Sequence, residues 1–133
     1  MKQGVTIKIT AVIILLMLLI ISSGITAQRV LYNDSQKMTQ PIKELEENIV
    51  SEDWKNAGNS LDRVNHGMVE KVKGKWSALV DHQEIDNIDI TLSRLQRFVE
   101  TCDKASSLSE ASALAKYVSH IPEKELPNMR NIF

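Results

Sequence analysis

A single cysteine, Cys102, stands among the 133 residues, so no disulfide closes within the chain. It lies far from the apolar run near the N-terminus, which rules it out as the lipid-bearing cysteine of a bacterial lipoprotein. Low-complexity runs, repeats and Gly/Ser linkers are also missing, so nothing divides the chain into several folding units. Acidic side chains are absent from the first 27 residues, and residues 28–133 carry a net charge of −3. That part lacks the basic field that phosphate binding needs, which excludes nucleic acid as a partner. No catalytic motif and no metal-ligand set stands out, so neither an enzymatic activity nor a cofactor is expected.

Hydrophobic residues are what the N-terminal region has in excess. Residues 9–27 form an uncharged stretch with the apolar heart AVIILLMLLII. As a helix these 19 residues reach roughly 28 Å, close to the ~30 Å hydrocarbon core of a bilayer. Lys8 can snorkel to the headgroups on one side, and the amphipathic ring of Tyr32 suits the interface on the other. The run contains no proline to leave backbone groups unbonded in lipid.

A cleaved secretory signal has the same outline, with Ser22-Ser23-Gly24 or Ile25-Thr26-Ala27 as the cleavage site. The helix-compatible sequence TAQRVLYNDSQKM beyond it favours a retained anchor. Both readings send the rest of the chain across the membrane. The domain plan is therefore a tail and transmembrane anchor over residues 1–27 and an extracytoplasmic helical domain over 28–133. The bilayer itself is the first expected partner.

The remainder reads as all-α, an antiparallel bundle of three to four helices after the membrane helix. Pro41 disfavours helix at Gln40, so a break is expected near Thr39-Gln40, with Ile42, Leu45 and Ile49 on a short element beyond it. Ser51 is the expected N-cap of the next helix, with Glu52 and Asp53 in its first turn. Trp54, Ala57, Leu61, Val64, Met68, Val72, Trp76 and Leu79 come next at spacings 3-4-3-4-4-4-3, one apolar stripe on a long helix. Gly58, Gly67 and Gly74 weaken it, and a bend is expected.

Asp81 with Glu84 reads as a capping box opening a helix whose stripe runs Ile85, Ile88, Leu92, Leu95, Val99 and Cys102. This places Cys102 in the core. Ser107 with Glu110 reads as a second box, opening a helix with Leu108, Ala111, Leu114, Val118 and Ile121 inward and Pro122 at its end. The tail EKELPNMRNIF is irregular, and its Ile132-Phe133 is expected to dock on the bundle.

Candidate contacts for a partner or ligand are Trp54, Trp76, His82 and Glu84. The two tryptophans share one stripe, which argues for core packing. His82, Asp86 and Asp89 share a helical face that resembles the start of a divalent-metal site, but the face lies off the apolar stripe and reads as solvated. Lys71, Lys73 and Lys75 are suited to anionic headgroups or to a partner, with Glu70 diluting the patch.

Taken as a whole the chain resembles an uncharacterised family, a domain of unknown function, of short single-pass helical proteins from Gram-positive spore-forming bacteria. The resemblance rests on the N-terminal anchor, Asp53-Trp54 with Ala57 and Leu61, and Trp76. It continues through His82-x-Glu84-Ile85, Leu92-x-Arg94-Leu95 and Asn131-Ile132-Phe133. It implies an all-α domain held at the membrane, no enzymatic activity, and a larger multi-pass membrane protein as partner. The expected function is that of a membrane-tethered interaction module of the cell envelope, with homo-oligomerisation open to it. The alternative is an extracytoplasmic sensor or ligand-binding bundle that signals through a partner.

Overall fold

The structure, a computed structural model, describes residues 2–124. The tail reading of Ile132-Phe133 lies outside these residues. Among them every regular element is helical: α1 (Lys2–Val50), α2 (Trp54–Lys71), α3 (His82–Glu100) and α4 (Lys104–Lys124). A π-helical stretch (Val72–Trp76) and one further turn (Ser77–Leu79) prolong α2 before α3 begins.

Helix α1 is 49 residues long, roughly 74 Å. Its two halves differ entirely in environment. Side chains 3–26 are all exposed, and the first buried one is Leu31. From there Leu31, Met38, Ile42, Leu45 and Ile49 form one buried stripe. The break expected near Thr39-Gln40 does not occur, and Pro41 lies inside the helix. Proline in a helix interior costs about 3 kcal/mol. The stripe on both sides of Pro41 packs into the same core, and that burial outweighs the lost backbone bond.

The chain then turns back at a tight corner. Glu52 N–H donates to the Ile49 carbonyl (3.0 Å) and Asp53 N–H to the Asn48 carbonyl (2.9 Å), a Schellman pair with Glu52 left-handed at φ 58°. Asp53, not Ser51, caps α2: its carboxylate accepts from the Asn56 N–H at 3.2 Å and from Asn56 Nδ2 at 2.7 Å. The Ser51 hydroxyl donates back to the α1 carbonyls of Glu47 and Asn48.

The corner between α3 and α4 repeats this construction fifty residues later. Cys102 N–H donates to Val99 O and Asp103 N–H to Phe98 O, Cys102 is left-handed at φ 54°, and Asp103 accepts from the Ser106 N–H and hydroxyl. Three sequence expectations are corrected here. Cys102 is exposed rather than in the core, because α3 ends at Glu100 and the reversal turns it outward. Helix α4 begins at Lys104 rather than at Ser107, which is buried in its interior. Pro122 does not end α4 either, since the helix runs on to Lys124.

The burial pattern repeats with the corners. Met38 and Ile88, Ile42 and Leu92, Leu45 and Leu95, Ile49 and Val99, Val64 and Leu114, and Met68 and Val118 are all buried at matching places in two α-hairpins. No repeat was legible in the sequence because only Leu45/Leu95 and Asp53/Asp103 are identical among these pairs. The corners lie side by side at the far end of the bundle, where Lys104 Nζ stands 3.7 Å from Glu52 Oε2.

Candidate functional site: a groove and a foot at the near end of the bundle

Packing between the hairpins is unequal. Helix α1 lies closely along both α2 and α4, and α4 along both α1 and α3. A buried hydrogen bond from Ser35 Oγ to the Val118 carbonyl (2.8 Å) fixes α1 against α4. Lys71 Nζ reaches Asp34 Oδ1 at 3.1 Å and ties the end of α2 to α1. Between α2 and α3 the fit is looser. A groove of about 250 Å³ lies there, with Met68, Val69, Val72, Ile85, Ile88 and Leu92 as its apolar wall and Asn65, Lys73, Asp86 and Asp89 as its polar rim. A smaller hollow of about 130 Å³ continues it towards Asp62, Ser93 and Gln96.

Val69 and Ile90 are 40% and 49% exposed and fall off the main stripes. Of the two, Val69 lines the groove; a large apolar residue off the stripe is the sequence signal that marks an incomplete seam, and stripe-counting alone passes over it.

The sequence candidates occupy opposite ends of the domain. Trp54 opens α2 at the corner end, half-buried against the core. Trp76 lies at the other end, completely buried in the π-helical stretch, and its Nε1 finds no acceptor among the described residues. It is a core residue and presents nothing to a ligand. His82 and Glu84 stand in the first turn of α3, behind the cap in which the Asp81 carboxylate accepts from the Gln83 N–H at 2.9 Å. His82 is exposed and Glu84 half-buried.

Asp81 thus caps α3 as the sequence indicated. Asp86 and Asp89 line the groove, while His82 does not. Among the described residues no three His, Cys, Asp or Glu side chains gather closely enough to hold a metal ion. The arrangement offers an apolar contact surface with a mainly acidic rim.

The stretch from Val72 to Leu79 forms a foot beside α1. Gly74 departs from helical geometry (φ −86°, ψ −106°), and the backbone turns there. The bend therefore falls at one of the three glycines expected to produce it. It brings Lys75 and Leu79 against the lower part of α1, where they border an open notch of about 440 Å³ with Leu19, Ser22, Ser23, Thr26, Ala27 and Val30. Above this level α1 is surrounded by partners; below it, α1 is bare.

A family model described as a domain of unknown function, DUF4363, matches residues 25–132. No curated protein and no solved structure matches the chain. The match begins at the end of the bare apolar stretch and takes in the whole bundle.

Proposed function

The chain belongs to the DUF4363 family, and from that premise we propose that it is a membrane-tethered helical interaction module of the bacterial cell envelope, working without catalysis. The observation that carries this reading is the bare half of α1. Its 18-residue apolar window has a mean hydropathy of 2.7 and is 0% buried, unlike the core helix of a soluble protein. Burying such a surface in hydrocarbon removes an exposed apolar area far larger than a monomer in water sustains.

The hydroxyls in this stretch suit lipid as well. Thr10, Ser22, Ser23 and Thr26 each donate to a backbone carbonyl one turn back, at 2.8 to 3.0 Å. None of these protons needs water as a partner. Lys8 then marks one interface, and Tyr32 stands just beyond the other. Lys2 and Lys8 before the apolar run favour a cytoplasmic position for that side, with the bundle outside. The envelope of a Gram-positive spore-former is the setting the sequence resemblance points to.

Tethering restricts the bundle to a thin layer, where even a weak contact is occupied because the effective concentration is high. The α2–α3 groove, with the partly exposed Val69 in its wall, is the surface offered to a helix of another membrane protein. The test is co-purification from solubilised membranes. Val69→Asp, at a position 40% exposed and tolerable to the fold, should abolish recovery of a partner that the parent chain retains. Equal recovery by both would refute the assignment of the groove. An extracytoplasmic sensor draws on the same groove as a ligand pocket, and a thermal shift with a small molecule, absent in that variant, would select it instead.

A further inference from the structure

The notch between the foot and α1 has no part in docking at the α2–α3 groove, and its composition is unusual for this chain. Lys75 is the one ionisable side chain among the described residues that line it. Elsewhere in the bundle cations commonly meet carboxylates, as Lys71 meets Asp34, Arg63 meets Glu44 and Lys104 meets Glu52. Opposite Lys75 the wall consists of Leu19, Ala27, Val30 and Leu79, with the hydroxyls of Ser22, Ser23 and Thr26 between them. Each of these three hydroxyls already has a backbone acceptor, so it is satisfied with or without a ligand beside it.

The height of the notch along α1 matters equally. It spans Leu19 to Val30, straddling the end of the apolar run, so its lower part faces acyl chains and its upper part faces headgroups. An ammonium in a notch that straddles this boundary, beside an apolar wall and without a carboxylate among the lining residues, has the chemistry to hold a lipid phosphate. We propose that the notch is a binding site for one anionic phospholipid of the outer leaflet, its phosphate paired with the Lys75 ammonium and an acyl chain lying along Leu19, Ala27 and Leu79. The site rests on α1 spanning the membrane. The foot would then fix the height and rotation of the bundle on the bilayer, since the same lipid touches both.

The full chain, carrying Cys102→Ser and a bimane label on Ala78→Cys beside the notch, is reconstituted in nanodiscs with trace nitroxide-labelled headgroup lipids. A nitroxide on phosphatidylglycerol should quench the label with about a fivefold local preference over one on phosphatidylcholine at equal mole fraction, as expected for one lysine beside an anionic lipid. Lys75→Gln should bring the two to parity. Lys73→Gln, whose side chain lines the other groove, should leave the preference intact.

Equal quenching by both lipids in the parent chain overturns the proposal. A preference that survives Lys75→Gln also overturns it, as does one abolished by millimolar inorganic phosphate, which would mark a free-anion site. A second label, on Leu16→Cys, is read with acyl-chain nitroxides. Its failure to quench would overturn the membrane span itself, whereas quenching there without lipid preference at the notch would remove only the lipid site.

Discussion

Single side chains in this bundle matter most where the chain reverses. Asp53 and Asp103 each finish one helix through the backbone N–H and begin the next through the carboxylate. Asp53→Ala should lower stability by about 1 kcal/mol, the usual worth of an N-cap, read from the thermal unfolding of the solubilised chain. Asp103 adds a pH signature. The Ser106 hydroxyl, and after it the Ser106 N–H, hold its carboxyl below the ordinary carboxylate value. A carboxyl lowered by folding stabilises the fold above its unfolded value, and the gain fades as pH falls through the folded one. Asp103→Asn should therefore melt lower than the parent at neutral pH and converge with it as acidification carries the pH below the ordinary carboxylate range. Glu52 and Cys102 hold left-handed backbone that glycine adopts without a steric cost. Cys102→Gly should raise stability by about 1 kcal/mol in the same assay. Glu52→Gly should gain nearly as much, because the exposed pair it forms with Lys104 at 3.7 Å contributes little.

At the scale of whole helices, α2 offers a controlled comparison between two glycines. A methyl group added at Gly58 meets nothing within 4 Å, whereas at Gly67 it meets Met38 Sδ at 3.2 Å. Gly58→Ala should stabilise by about 1 kcal/mol from helix propensity alone. Gly67→Ala should gain less in a side-by-side melt, because the Met38 side chain between α1 and α2 must shift. Helix α2 also shows what the sequence disclosed. The apolar stripe that runs along it and on to Leu79 names eight residues: Ala57, Leu61, Val64, Met68 and Trp76 are buried, and Trp54, Val72 and Leu79 are half-buried against the core. Periodicity reports the buried face directly, because burial is what selects those residues. Helix ends were less legible: Ser51 and Ser107 have the right chemistry for a cap, yet an aspartate closing a Schellman turn outcompetes each. Pro41 misled for the opposite reason, since its local penalty was read without the tertiary burial that offsets it. Of the candidate site, the tryptophan stripe was correctly weighed towards packing for Trp76. The groove and the notch depend on which helices fail to meet and at what height, and no local pattern encodes either.

Seen as one molecule, the bundle is a pair of matching hairpins, one of which continues into a long bare helix. Most of the core is made within a hairpin or between α1 and α4, so the α2–α3 seam is the weakest joint. A large core truncation at the strong seam, such as Leu45→Ala, should cost 2–5 kcal/mol as roughly estimated for buried leucine. Leu92→Ala, beside the groove, should cost less in the same melt because its surroundings can collapse. The unbroken passage of α1 from its bare half into the core has a mechanical consequence. With no hinge between them, the helix acts as a drive shaft, and the bundle must follow any turn made by the apolar half. One alanine inserted between Ile20 and Ile21 would change the phase between the two halves by about 100°. Seven inserted residues would return it to within about 20°. If a partner grips the shaft and the bundle together, the first insertion should uncouple it and the second restore it, as a gear re-engages after whole turns.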